Sequence, residues 1–420
     1  MRRLKQAGLC VLALCTLLLW YSAEAAQKQA AWFDGSVSVR WEEGAGVSPC
    51  QIGRVLDWQR EDGGTPPPLA LWKTHENQHL YGDLHPAPAA GEVLEYYGEI
   101  TRLLPCRFRS GFWPGDRQGC VIDEGIAYFL WGDAEDVLGR TLRWNEETWY
   151  VRGVMEGTSG LAVFPAEETN ETPFSGLWLD LSADSSGSLG AEQLLQKYQL
   201  PVGTATDLGL FVWLSGVMAA LPAVLLWGWI MLRIAVRLWR LRYTRMLLFL
   251  TLPMLAAGAA AVSWAAGFPW TVPERFLPTR WSDGSFWSEL ASSVLDGVLT
   301  MFRTPPAPWE VVFWTGFFRC AALAVPAGIF LWLTARTLPR PTSKSIFWYS
   351  LIWWAGLLGT VWWNRGTLYG GPSISVWVLP PVWMVSNWIL DRSAQWLMPK
   401  TNSDEREMLY DPVETEQETL

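Results

Sequence analysis

Five apolar runs dominate the second half of the chain, at about 208–232, 246–267, 310–335, 346–363 and 374–390. Each approaches or exceeds the roughly 20 residues that carry an α-helix across a hydrocarbon core. The fifth is the weakest, because Pro380 and Pro381 interrupt it. A chain of 420 residues with these runs reads as a membrane protein rather than as a string of soluble domains. Composition agrees, since half the residues are hydrophobic, only 17% are charged and 30 are Trp. A wholly soluble enzyme, a disordered chain and a disulfide-dense mini-protein are disfavoured. The 32 basic and 41 acidic residues leave a net charge of −9, which repels phosphate. Membrane lipid is therefore an expected partner and nucleic acid is not.

The first 26 residues pair a basic start, Arg2-Arg3-Leu4-Lys5, with an apolar stretch to Trp20 and the sequence Ser22-Ala-Glu-Ala-Ala26. This pattern fits a cleaved signal peptide, and it fits equally a short retained transmembrane anchor. Either way, the residues after Gln27 are exported. Charge in the short loops sets the orientation. Arg233, Arg237, Arg240, Arg242 and Arg245 lie between the first two spans with no acid among them, and Arg336, Arg340 and Lys344 lie between the third and fourth. Both loops are cytoplasmic if residues 27–207 lie outside. The expected architecture is then a multi-pass protein of the bacterial plasma membrane. An extracytoplasmic domain spans 27–207, a helical bundle of about five spans occupies 208–400, and an acidic, disordered cytoplasmic tail covers 401–420.

Trp213, Trp239, Trp264, Trp270, Trp309, Trp362 and Trp363 sit at span ends, as indoles at the headgroup level do. Residues 285–303 repeat apolar side chains at helical spacing (Phe286, Leu290, Val294, Val298, Phe302) and predict an amphipathic helix, with Ser285 able to cap it. It lies on the outer membrane surface or packs under the external domain. The small-residue run Ala256–Ala261 predicts close helix approach. Arg319 is the one clear intramembrane charge, about 13 Å into its span at ~1.5 Å per residue. A charge at that depth is either functional or snorkels to the outer headgroups.

Residues 27–207 hold 13 basic and 27 acidic residues. Alternating stretches such as Ser36–Trp41 and Trp149–Val154 predict an α+β domain with more strand than helix. Cys50, Cys106 and Cys120 face the oxidising side, and a Cys106–Cys120 bridge would close a short loop.

Within this domain, residues 119–157 run through Leu130-Trp131-Gly132, then Asp136 to Leu142 with Gly139, then Val151-Arg152-Gly153-Val154. This stretch resembles the periplasmic core domain of MacB-type ABC permeases, in the wider FtsX-type family. There a short helix ends in a Leu-Phe-Gly turn, followed by Asp-x-x-Gly-Lys-Thr-Ile, a strand, a turn and Val-x-Gly-Val. Gly132 and Gly139 suit positive φ at tight turns, and Asn145 suits a hairpin. The resemblance implies a strand-rich fold and a permease-like role. Its partners would be a separate ABC ATPase subunit and a second permease chain or a second copy of this one. The chain departs from the family in two ways. Its link between the first two spans is only about 233–245, where such permeases carry a long segment that meets the ATPase, and five spans exceed the usual three. No Gly-x-x-x-x-Gly-Lys-Ser/Thr occurs, so the chain itself is not expected to hydrolyse ATP.

A second motif competes for the same domain. His75-Glu76-Asn77-Gln78-His79-Leu80-Tyr81-Gly82-Asp83-Leu84-His85 fits H-E-x-x-H-x-x-G-x-x-H and resembles the zinc signature of metzincin proteases. On a helix, His75 and His79 would face one side, Gly82 would turn the chain to bring in His85, and Glu76 would be the general base. That alternative makes the chain a membrane-anchored zinc peptidase; the permease-like reading needs neither enzyme activity nor a cofactor. On a strand, His75 and His79 would share one face about 13 Å apart at ~3.3 Å per residue. A strand or irregular segment with no convergent site is the expectation.

Overall fold

The computed structural model describes residues 2–397, except 43, 64, 158–159, 183–186, 242–244, 274–275, 278–283, 304–305, 338–342 and 366–370. The acidic tail 401–420 lies outside the described residues. The chain opens with one continuous helix, α1 (Arg2–Ala31), followed by the strand β1 (Ser36–Arg40). The sheet domain continues through α2 (Pro49–Glu61), β2 (Leu69–Gly82), β3 (Ala89–Gly98), α3 (Ile100–Leu103), β4 (Arg107–Gly111), β5 (Gly119–Asp123) and α4 (Glu124–Trp131). It closes with β6 (Thr141–Trp144), β7 (Glu147–Glu156), β8 (Leu161–Pro165), β9 (Gly176–Asp180), α5 (Gly187–Lys197) and β10 (Thr204–Asp207). Among the described residues the ten strands form one sheet in the order β10-β1-β9-β2-β3-β8-β5-β7-β4, with β6 pairing β2 and β7. The pairs β3–β8 and β5–β7 are parallel and the rest antiparallel. The domain is strand-rich α+β.

The local chemistry of residues 119–157 explains its turns. Asp123 caps α4 by accepting from the Gly125 N–H at 2.8 Å, and Gly132 ends that helix at φ 76°. Asn145 and Glu146 take φ 49° and 67°, the left-handed pair that a two-residue hairpin between β6 and β7 requires. Gly153 lies under the Phe108 ring, where an added Cβ would come within 2.7 Å. Val151 and Val154 are fully buried, whereas Asp136 is exposed and contributes its carbonyl, which accepts from Arg140 Nε at 3.3 Å.

Among the described residues, six helices follow the sheet. Five of them, α6 (Gly209–Leu241), α7 (Arg245–Ala265), α9 (Pro308–Thr337), α10 (Ser343–Trp363) and α11 (Ile374–Leu397), stand where apolar runs predict spans. Among the described residues, Gly209–Val236 and Pro308–Thr334 are long and apolar enough by themselves to cross a membrane. The sixth, α8 (Gly284–Arg303), matches the amphipathic segment, with Ser285 inside its first turn. It packs beneath β10: an added Cβ on Gly297 would lie 2.6 Å from the Thr206 hydroxyl. The Ala256–Ala261 run also serves packing, since Gly258 faces the Trp227 ring of α6.

The sheet sorts its side chains onto two sides. Ala70, Trp72, Leu94, Tyr96, Val121, Met155 and Trp178 form one core with Leu208 and Phe211 at the start of α6, Met301 of α8, and Trp309 and Phe313 at the start of α9. The sheet domain and the helix ends thus share a hydrophobic core. On the far side lie two separate cores, one under α2 and α5 and one under α4 and the β6–β7 hairpin.

Candidate functional site

The most constrained constellation lies where the sheet meets the bundle. All five residues of β1 are buried, so Ser38 and Arg40, which alternation would turn to solvent, sit inside. Arg40 reaches Glu310 in the first turn of α9. Its Nε donates to Glu310 Oε1 at 3.0 Å, and its terminal nitrogen Nη2 contacts Oε2 to close a bidentate pair. The Ser38 hydroxyl lies 3.5 Å from the same carboxylate, and the Ala307 N–H donates to Oε2 at 3.0 Å. The Arg40 guanidinium also rests 5.0 Å above the Trp72 ring. Arg40 is 5% exposed and Glu310 1%, so each charge depends on the other for solvation. Trp309, expected in an interfacial belt, is instead fully buried against Phe33 and Trp72. Trp264, Trp270, Trp362 and Trp363 are exposed.

A second junction ties α1 into the bundle. Glu24 accepts from the Ser373 N–H at 2.7 Å and the Ser373 hydroxyl at 2.6 Å, capping the start of α11. Lys28 donates to the Gly371 carbonyl, and Gln29 Nε2 donates to the Val312 carbonyl at 2.8 Å. Ala23, Ala26 and Ala30 are buried, and Gly316 of α9 lets the helices close: an added Cβ there would meet the Ala26 carbonyl oxygen at 3.0 Å and the Ala30 nitrogen at 3.1 Å. The small residues that resemble a cleavage site are helix-packing residues in this fold. The helix also passes the expected boundary at residue 26 and ends at Ala31. Glu24 and Glu310 are further charged residues on these helices, and both are buried. Arg319 itself is exposed on α9.

The three histidines do not form the constellation that their spacing suggests. His75 and His79 lie on β2, not on a helix. A bulge between His75 and Gln78, with Asn77 at φ 52°, shifts the register. His75 and Gln78 therefore both meet Trp144, and Leu80 enters the core on that same side. His79 is thrown to the opposite face, which corrects the shared face that plain alternation predicts. His75 Nε2 lies 3.4 Å from Glu95, while His85 Nδ1 accepts from the Ala87 N–H at 3.2 Å and packs against Phe129. Glu76 is exposed at the bulge. No group of three His, Cys, Asp or Glu among the described residues is placed to hold a metal ion.

The expected Cys106–Cys120 bridge is also corrected, for both are free thiols. Cys106 packs against the core shared with the helices and Cys120 lies in the core under α4. Burial pushes the Cys106 thiol up to about 12 and the Cys120 thiol upward as well.

No protein-family model matches this chain, and no curated protein does. Among solved structures, it is similar to the periplasmic region of MacB from Actinobacillus actinomycetemcomitans, at 11% identity and a TM-score of 0.34, over 42% of this chain and 90% of that one. It is also similar to the extracellular domain of the noncanonic ABC-type transporter YknZ from Gram-positive bacteria, at 11% identity and a TM-score of 0.31, over 39% of this chain and 95% of that one.

Proposed function

We propose that the chain is a permease-like component of a bacterial plasma membrane system, with residues 27–207 outside. Its external domain relays to the helices, α1 is a retained anchor, and ATP is hydrolysed by a separate chain. The observation that carries the relay is the core shared between the sheet and the starts of α6 and α9, locked by Arg40 and Glu310. A displacement of the sheet then moves α9 with it, because a packed core does not stretch. The MacB-type resemblance of residues 119–157 and the missing nucleotide-binding motif support the same assignment. Affinity capture of the full chain from mild detergent should recover an ATPase.

A second reading, a sensor or accessory protein without transport, draws on the link between α6 and α7. Helix α6 ends at Leu241 and α7 begins at Arg245, leaving little chain to dock an ATPase. Repeated capture without an ATPase would favour this second role.

A further inference from the structure

On the side of the sheet away from the helices, a cavity of about 760 Å³ opens beside the core under α4. Sites for small molecules typically occupy about 300–1,000 Å³. Its base is aromatic: Trp144 stacks on Phe164 with centroids 4.8 Å apart, and Trp149 meets Phe164 edge-on at 5.0 Å. Three charged side chains line it without a hydrogen bond or ion pair among the described residues: Lys73, which is half-buried, and Arg117 and Glu147, which are exposed. Glu95 on the same wall is already engaged, by His75 at 3.4 Å and by the Asn170 amide at 3.2 Å. Trp149, 8% exposed, also lines the cavity, and its buried Nε1–H has no acceptor.

Unpaired charge of both signs narrows the ligand. Two cations suit a carboxylate. A simple anion would nonetheless be repelled by a domain with 27 acidic and 13 basic residues. A zwitterion escapes that repulsion, and its ammonium group answers Glu147. The aromatic base suits an apolar side chain. We propose that this cavity binds a short peptide with both ends free. Its carboxylate meets Lys73 and Arg117, its ammonium meets Glu147, and an apolar side chain lies toward Trp144. This site does not depend on whether an ATPase partner exists.

The test is calorimetric titration of the full chain in lipid nanodiscs with the tripeptides Ala-Leu-Ala, Ala-Phe-Ala and Ala-Trp-Ala. Each is used with free ends, with an amidated C-terminus and with an acetylated N-terminus. Free tripeptides should bind saturably. Amidation, and the double change Lys73→Met with Arg117→Met, should each weaken binding about tenfold or more. Acetylation and Glu147→Gln should weaken it by a smaller factor. Unchanged thermal unfolding of the variants establishes that they fold. The absence of saturable binding by any free tripeptide, equal affinity for free and capped peptides, or wild-type affinity in the double variant would each overturn the proposal.

Discussion

Arg40 on β1 and Glu310 on α9, 270 residues apart in sequence, form a bidentate ion pair that water scarcely reaches. The pair joins a strand of the sheet domain to the first turn of a helix that is long and apolar enough to cross a membrane. The first helical turn suits a carboxylate, because its backbone N–H groups are not used within the helix. Glu310 thus orders the start of α9 and holds β1 above it.

Removing one partner should be far worse than removing both. Arg40→Met or Glu310→Met leaves an uncompensated buried charge, which costs about 3–5 kcal/mol. The double variant replaces the pair with apolar side chains of similar length and should recover most of that loss. Thermal unfolding of the full chain in detergent, run as a double-mutant cycle, measures this. Additive single effects would mean that the pair contributes no coupling.

The packing of α1 predicts that the chain keeps its first residues. Cleavage near Ala25 would remove the helix that packs along α9, together with the Glu24 cap on α11. Intact mass measured on protein purified from membranes should include residues 2–26. Gly316→Leu should lower the unfolding temperature, because its side chain would press on the backbone of Ala26 and Ala30, at a cost of about 1–3 kcal/mol. Gly359→Leu, where nothing lies within 4 Å of an added Cβ, is the control and should not.

What could be read from the sequence follows from how local each signal is. Apolar length alone marks α6, α7, α9, α10 and α11, and the turn chemistry of Gly132, Gly139 and Asn145 marks the hairpin region. Each of these signals sits within a few residues. The Arg40–Glu310 pair had only weak traces: a cation ending the strand Ser36–Arg40, and an acid two residues after Pro308 at the start of an apolar run. Nothing local says that they meet. The segment Ser22–Ala26 was ambiguous because small residues suit a peptidase and a close helix crossing equally well. The thiols misled because Cys106 and Cys120 are near in sequence while the sheet sends them to different cores.

Acid should weaken the sheet domain through Asp180. Desolvation alone would raise this carboxyl; hydrogen bonds from Ser182 and the Arg102 guanidinium outweigh it and hold its pKa below the ordinary value. A carboxyl with a depressed folded-state pKa adds stability above its unfolded value of about 3.9, and loses it as pH falls through the folded value. Unfolding temperature should therefore drop as pH falls below about 4. Asp180→Asn should be less stable at neutral pH and show a flatter acid limb. An acid limb of the same slope in both proteins would remove Asp180 from the account.

The histidines separate a permease-like domain from a zinc peptidase. Tetrahedral zinc needs Zn–N distances of about 2.0–2.1 Å, so its ligands must converge. The bulge at Asn77 points His75 and His79 to opposite faces of β2, and His85 is held against Phe129 and the Ala87 N–H. Asn tolerates the left-handed backbone there better than a β-branched residue does. Asn77→Gly should preserve the domain, while Asn77→Val should destabilise it by about 1–3 kcal/mol. Metal analysis of the purified chain, after zinc addition and desalting, should find no stoichiometric zinc, and His79→Ala should not change the result. Stoichiometric zinc lost in His79→Ala, together with a peptidase activity lost in Glu76→Ala, would require β2 to rearrange and would make the chain a zinc hydrolase.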